Sequence, residues 1–490
     1  MTRSYKLVSI LFILAAPWFG HTASLPDAAE AKNFAKVREL ISAGADLNAS
    51  QADGMTALHW SCQHDDTESV LALLKAGANP SPQTRYGIEP INIAVGNGNP
   101  VLVKKLIELG ADPNKTVHRD ETLLMTAARV GKLGSIKALV SAGADIDAKQ
   151  RHGQTALMWA AHEGHLEVVA FLIDAGADHS TALKSGYTPY FFAARQGHAE
   201  IVHYFIDHGI DVNAAMNIAA KNNRYAANGS SALILAMENG HLELAIELLQ
   251  RGADANDHRT GRTPLHTLVR VRKPDRGEGI AGTPPPDIKG DLDTLELATA
   301  LIDHGADVNF RLKTGRKANG ARFSMIGCTP FFLACDTADI DYMEFLVKFG
   351  ADPSISNEND TTPLMVAAGI GSHAPEEEAG TPGECLAAVQ FLVELGADIN
   401  AVNNRGETAM HGAAYKNAPQ VAQYLDTMGA DIQIWNTKNE AGRTPLFIAE
   451  GYRPGNFKPD FATIDAITAL MHKHGATIPK ERPVHVNYAP

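Results

Sequence analysis

One short motif returns along this chain at a nearly fixed interval. The first five intervals are 33 residues each, and the longer ones, of 43 to 53 residues, indicate insertions into the same unit. A period of this length predicts a stack of supersecondary units rather than one large core. The motif is Gly-Ala-Asp or a close variant, and it begins at Gly44, Gly77, Gly110, Gly143, Gly176, Gly209, Gly252, Gly305, Gly350, Gly396, Gly429 and Gly475.

A second motif recurs at a nearly constant distance from the first. It is "TALH" at Thr56, "TALM" at Thr155, "TPLH" at Thr263 and "TAMH" at Thr408, and it precedes the next Gly-Ala-Asp by 21 residues in eight of eleven cases. With this motif and the 33-residue period, the chain resembles the ankyrin-repeat family from about residue 25 to residue 478. We count about twelve repeats, of which the first and last lack part of the pattern and are typical of caps.

The residues of one unit, 153–178, explain why it should form two helices. The side chain of Thr155 can cap the first helix, and Gly164 can end it in a left-handed conformation. Apolar residues at 166, 169, 172 and 173 then share one face of a second helix, which Gly176 ends. Each pair can bury its apolar face only against its neighbours. We therefore predict an all-α solenoid of helix-turn-helix pairs joined by hairpin-like loops.

The histidines of the repeats look at first like metal ligands. His162 and His165 flank Glu163 and Gly164, but a zinc protease site needs H-E-x-x-H on one unbroken helix. His165 also recurs in register as His198 and His241. Three other histidines hold the fourth place of the second motif, where the family resemblance implies a bond between loop and helix; they are His59, His266 and His411. We predict no metal site from any of them.

No catalytic or cofactor-binding motif stands out from the repeats. The chain contains no nucleophile elbow, P-loop or dinucleotide-binding fingerprint. We therefore predict a protein that is not an enzyme, with no cofactor and no catalytic residue. The alternatives are an enzyme whose active site lies in the inserted segments, which a pocket lined by convergent titratable groups would favour, and a purely structural spacer.

The first 24 residues have the pattern of an export signal. Arg3 and Lys6 precede an apolar run at 7–18, and small residues near Ala23 and Ser24 offer a cleavage site. Twelve apolar residues are too few to cross a bilayer. We predict an exported protein, periplasmic in a bacterium and otherwise secreted, with no stable membrane insertion after cleavage. Of its four cysteines, Cys62 and Cys335 occupy a repeat position usually held by alanine, which predicts small buried side chains.

Charge along the chain points to a binding surface. The net charge of −13 argues against nucleic acid as a partner, yet seven loops between residues 80 and 328 hold 15 Lys/Arg and only 4 Asp/Glu. Because such loops commonly form the interaction surface of a solenoid, we predict that they bind an acidic protein partner. The residues predicted to do so are Arg85, Lys115, Arg119, Lys149, Arg151, Lys184, Arg259, Arg262, Arg311, Lys313, Arg316, Lys317 and Arg322.

The insertions complete the predicted domain organisation. An export signal at 1–24 is followed by the solenoid at 25–478 and a tail at 479–490. Long loops on a rigid scaffold often carry recognition, although they can equally be tolerated surface excursions. The insertions lie near 212–230, 269–291, 308–328, 371–384 and 451–461.

Overall fold

The computed structural model describes residues 24–218, 227–274, 286–318, 322–455 and 458–482. Nearly all of the predicted export signal and the end of the predicted tail therefore lie outside the described residues, as do the basic loop residues Lys221 and Arg224. The chain divides into two compact units, Met1–His179 and Ser180–Pro490. We call the described parts of these two units unit 1 and unit 2, and the helices are counted within them.

Unit 1 contains five helix pairs. A single 3₁₀ turn at His118–Asp120 interrupts one of the connecting loops. The helices are α1 (Leu25–Glu30), α2 (Phe34–Ser42), α3 (Ala57–Gln63), α4 (Thr67–Ala76), α5 (Pro90–Asn97), α6 (Pro100–Glu108), α7 (Leu123–Val130), α8 (Leu133–Ser141), α9 (Ala156–Glu163) and α10 (Leu166–Asp174).

Unit 2 contains seven further pairs and one short extra helix, α23. Its helices are α11 (Pro189–Gln196), α12 (Ala199–Asp207), α13 (Ala232–Glu238), α14 (Leu242–Gln250), α15 (Pro264–Arg272), α16 (Thr294–Asp303), α17 (Pro330–Asp336), α18 (Ile340–Lys348), α19 (Pro363–Ala368), α20 (Pro382–Glu394), α21 (Ala409–Tyr415), α22 (Pro419–Thr427), α23 (Ile432–Trp435), α24 (Pro445–Ala449) and α25 (Phe461–Lys473).

These helices confirm the predicted fold class. Among the described residues, β-pairing is limited to isolated bridges, such as Ser50 with Thr56 and Thr116 with Thr122 at the base of two loops. The predicted signals act as expected in α9: the hydroxyl of Thr155 accepts a hydrogen bond from the Met158 amide, and Gly164 ends the helix with φ +85°. No helix of the described chain is both long and apolar enough to span a bilayer.

The histidine of the second motif joins neighbouring repeats, as the family resemblance implied. In unit 1 the Thr56 amide donates to Nδ1 of His59 at 3.1 Å, and Nε2 of that ring lies 3.1 Å from the Ile88 carbonyl oxygen in the next repeat. His266 makes the same link in unit 2, with Nε2 3.2 Å from the Cys328 oxygen. Because Nδ1 of His59 accepts an amide hydrogen, its proton lies on Nε2, and burial lowers the pKa of both rings. His165 similarly reaches the Arg129 oxygen at 3.0 Å.

A ladder of asparagine side chains links successive loops. Asn256 accepts from the Asp307 amide at 2.8 Å and donates to the Gly305 carbonyl at 2.7 Å. Asn114, Asn213, Asn309 and Asn400 make the same pair of bonds to the following loop. The ladder gives a physical reason for asparagine at this position, since its amide side chain supplies an acceptor for one bond and a donor for the other.

Candidate functional site

Ten of the thirteen predicted partner-binding residues are exposed. Of these ten, Arg259 and Arg311 are engaged within the scaffold and Arg316 lines a cavity, as described below, which leaves seven. The side chains of the seven form no ion pair with any residue that the structure describes. In unit 1, the Arg151 amide donates to the Arg119 carbonyl at 3.1 Å, so the tips of successive loops lie side by side. We call the unit 1 members of the seven, Arg85, Arg119, Lys149 and Arg151, the basic tips; the other three are Lys184, Lys313 and Lys317 in unit 2.

Three other predicted residues are engaged within the scaffold. Lys115 lies 2.7 Å from the carboxylate of Glu89, a buried residue of the preceding repeat. Arg259 binds the buried carboxylate of Asp257 through two nitrogens, at 2.8 and 2.9 Å. Arg311 donates to the Ser356 carbonyl at 2.9 Å. These contacts hold loops in place, so their part in binding a partner stays a prediction.

The remaining three predicted residues line a cavity in unit 2. The cavity has a volume of about 520 Å³, and Arg262, Arg316 and Arg322 lie on its wall together with Arg270. We call it the arginine cavity after these four residues. Arg270 was missed in the sequence because the basic run at 270–273 was treated only as the start of an insertion.

The inserted segments build this cavity. Val269, Lys273 and Pro274 come from the insertion at 269–291, and Phe323 and Met325 come from the one at 308–328. The insertion at 371–384 adds residues 371–374 and 377–379. Segments separated along the sequence therefore converge on one site. No sequence signal revealed this convergence, because it depends on how the loops fold back over the stacked helices.

The four arginines share the cavity with the carboxylate of Asp336, whose negative charge acts on Arg262 and Arg316 and offsets part of theirs. Burial lowers the pKa of Arg262, and the positive charges of Arg270 and Arg316 lower it further, although Glu238 and Asp336 oppose them. Burial followed by Arg322 likewise lowers the pKa of Arg316. Among described residues, none of the four forms an ion pair, whereas Arg272 just outside the cavity binds Asp339 at 2.8 Å.

Another part of the lining, around Glu378 and Lys416, is neutralised internally. Burial would raise the pKa of Glu378, but hydrogen bonds from the Ser372 hydroxyl and from the amides of His373 and Ala374, together with the charge of Lys416, lower it. Lys416 is buried and also donates to the Ala379 carbonyl at 2.8 Å. This part of the lining is therefore a closed network, and the free positive charge of the cavity belongs to the arginines.

The lining offers little for covalent chemistry. Burial raises the pKa of the Cys385 thiol, which makes it a poor nucleophile near neutral pH. The Ser372 hydroxyl donates to Glu378 at 2.6 Å, and a carboxylate with a lowered pKa is a weak general base. Cys62 and Cys335 are fully buried, as predicted. Within the described residues no group of three His, Cys, Asp or Glu side chains is arranged to hold a metal ion.

Sequence comparisons agree with this architecture. Family models described as ankyrin repeats match the chain at 25–117, 91–182, 124–216 and 214–275, and further ones match at 327–355 and 381–425. Together they cover more than half of the chain.

Similar curated proteins share part of this chain. Human ankyrin repeat domain-containing protein 63 is 33% identical over 204 residues, which are 40% of this chain and 43% of that protein. Human ankyrin repeat and SOCS box protein 6 is 29% identical over 206 residues, with 40% and 43% covered. Human neurogenic locus notch homolog protein 1 is 31% identical over 206 residues, 41% of this chain and 6% of that protein. The match spans less than half the length of each relative.

Proposed function

Because the chain belongs to the ankyrin-repeat family, whose repeats serve as protein interaction modules, we propose that it binds an acidic partner protein through the basic tips. Lys184, Lys313 and Lys317 are the corresponding exposed cations of unit 2, for which a part in binding remains a separate prediction. The observation that carries the proposal is the set of exposed cations without ion pairs on successive loops. Cations that are already paired, such as Lys115 and Arg259, would have to break an ion pair with a carboxylate within the chain before they could bind a partner.

Electrostatic complementarity explains how such a protein can be acidic overall and still bind an acidic partner. Charges interact strongly only within about 10 Å at ordinary salt concentrations. A partner that approaches the loop tips therefore meets local positive charge, while the acidic remainder of the chain is screened. Because salt screens these local charges, the interaction should weaken as the salt concentration rises.

Salt-sensitive capture is the expected result when residues 25–490 serve as bait. We expect one protein from the exported fraction of the source cells to be retained at about 50 mM NaCl and at least tenfold less at about 300 mM, because salt screens exposed charges. The captured protein should be acidic. Retention that is unchanged by salt, or capture of a basic protein, would contradict an acidic partner.

Export is the second part of the proposed function. It is supported by the positive residues Arg3 and Lys6 and the apolar run at 7–18. When the full chain is produced in its source cells, we expect protein recovered outside the cytoplasm to begin near Ser24, as measured by N-terminal sequencing. Protein that is confined to the cytoplasm and still begins at Met1 would refute export.

A small-ligand site is the second candidate function, and one observation favours it. Inserted segments converge on the arginine cavity, whose volume lies within the range typical of small-molecule sites. Its chemistry favours binding over catalysis, since the thiol and the hydroxyl in the lining lack an activating base.

A further inference from the structure

We propose that the arginine cavity binds a small phosphate monoester, with the phosphate between the guanidinium groups and the organic part against the apolar wall. This inference concerns unit 2 alone and does not depend on the acidic partner or on the basic tips. It rests on the shape of the cavity, on its unpaired arginines and on the apolar side chains beside them.

The four arginines of the cavity outnumber the carboxylates that act on them, Glu238 and Asp336, and this excess of positive charge indicates a missing anion. Arg262 is half-buried, and Arg270 and Arg316 lie near enough for their charges to act on it. Arg322 acts on Arg316 in the same way. Holding cations together raises the free energy of the empty protein, and an anion placed among them would lower it.

The number and geometry of the cations favour phosphate over carboxylate. A guanidinium group is a planar fork that binds two oxygens of one anion. Two such forks already saturate the two oxygens of a carboxylate. A phosphate monoester carries close to two negative charges and three terminal oxygens, so it can use the four arginines of the cavity.

The rest of the lining indicates that the phosphate carries an organic group. The cavity is also lined by the small exposed edges of five apolar residues that are otherwise buried, Val269, Phe323, Met325, Leu333 and Val366. Phe323 and Met325 are largely buried and held in place, with the Phe323 ring 5.3 Å from the ring of Phe332. An aromatic or aliphatic group attached to the phosphate would cover this surface, whereas inorganic phosphate would leave it exposed to water.

Isothermal titration calorimetry with three probes tests the proposal at constant ionic strength. The probes are phenyl phosphate, inorganic phosphate and benzoate, which separate the contributions of the phosphate and the ring. We expect phenyl phosphate to bind at least tenfold more tightly than either of the others. Benzoate that binds as tightly as phenyl phosphate would overturn the assignment to phosphate, and no binding of phenyl phosphate would overturn the site.

Substitutions locate the site. We expect R316Q and R322Q each to weaken phenyl phosphate at least tenfold, and R316K, which keeps the charge but not the fork, to weaken it less. The matched controls R129Q and R251Q remove exposed arginines that lie outside both the cavity and the basic tips, and they should leave the affinity unchanged. Equal affinity in all four glutamine variants would place binding outside the cavity.

Thermal unfolding separates a ligand site from a structural cluster. Removing one of several crowded cations should leave the unliganded R316Q protein at least as stable as the parent, while the stabilisation by phenyl phosphate is lost. A destabilised R316Q protein that still gains the full stabilisation from phenyl phosphate would show a structural role instead.

A competition titration with a phosphotyrosine peptide distinguishes two sources of the phosphate. A peptide that displaces phenyl phosphate would assign the phosphate to a protein side chain. A peptide that fails to displace it would assign the phosphate to a small molecule.

Discussion

Below about pH 6.5, the repeat that contains His266 is expected to lose about 1.4 kcal/mol of unfolding free energy per pH unit, and H266Q is expected to abolish this loss. Complete burial lowers the pKa of His266 from 6.5 to about 3. Between these two values the unfolded chain binds one proton more than the folded chain, so stability falls as the pH falls. Above pH 6.5 both states are neutral at this position, and the contribution is constant.

The geometry explains why the folded ring resists the proton. Nδ1 of His266 accepts from the Thr263 hydroxyl at 2.6 Å, while Nε2 faces the Cys328 carbonyl. A second proton would place a positive charge on a completely buried ring, near the positive charge of Arg262. His411 has a similar environment, with a pKa lowered to about 4 by burial, and should add a second contribution in its own repeat. H266Q itself should cost about 1–3 kcal/mol at pH 8, because the Cys328 oxygen loses its donor.

Hydrogen exchange measured by mass spectrometry at pH 8, 6, 5 and 4.5 reports the unfolding free energy of each helix separately. In the parent chain, peptides from α15 should show the predicted fall of the unfolding free energy as the pH is lowered. In H266Q, the same peptides should no longer show this pH dependence. Two repeats provide internal controls, because Met125 in α7 and Met158 in α9 occupy the place of the histidine. If α15 and α7 showed the same pH dependence in the parent chain, the account of the buried histidine would be wrong.

The helix pairs could be predicted from the sequence because their causes are local. A threonine cap, a terminal glycine and apolar residues on one face act within a single turn or helix, and α9 shows each of them in place. Even the degenerate motif at Glu89 forms a capping box, with Asn92 in the reciprocal role. The sequence shows asparagine recurring at one position of the repeat. The hydrogen bonds of the asparagine ladder join two repeats, so they become evident only in the structure.

The candidate site could be predicted only in part because its causes are not local. The charge of the loops identified the basic residues, yet Lys115 and Arg311 bind groups in neighbouring loops, at Glu89 and at the Ser356 carbonyl. The arginine cavity combines a helix end with inserted segments that are far apart in the chain. Whether a cation remains without an ion pair depends on such contacts between residues that are distant in the sequence. Amino-acid composition does not reveal these contacts.

Reversing the charge of the basic tips should produce the largest loss of partner binding. The variant replaces Arg85, Arg119, Lys149 and Arg151 with glutamate, and we expect it to bind the captured partner about a hundredfold more weakly or worse at low salt. Opposite charges at the contact become like charges, while the helices of unit 1 keep their packing. Circular dichroism should show the same helix content as in the parent chain.

A matched control separates local contact from overall charge. Lys32, Lys75, Lys104 and Lys132 are exposed residues of unit 1 that lie outside the loop tips. Replacing them with glutamate changes the net charge by the same amount, so a general effect of charge would appear equally in both variants. We expect this control to weaken binding by less than about threefold, because distant charges are screened.

Calorimetric titration of the captured partner into the parent chain, the tip variant and the control variant measures how much of the affinity depends on the basic tips. We expect a large loss of affinity in the tip variant, at least thirtyfold greater than in the control, with the difference shrinking as salt is added. Equal affinities in the two variants would contradict a binding surface at the basic tips and would place the partner elsewhere on the chain.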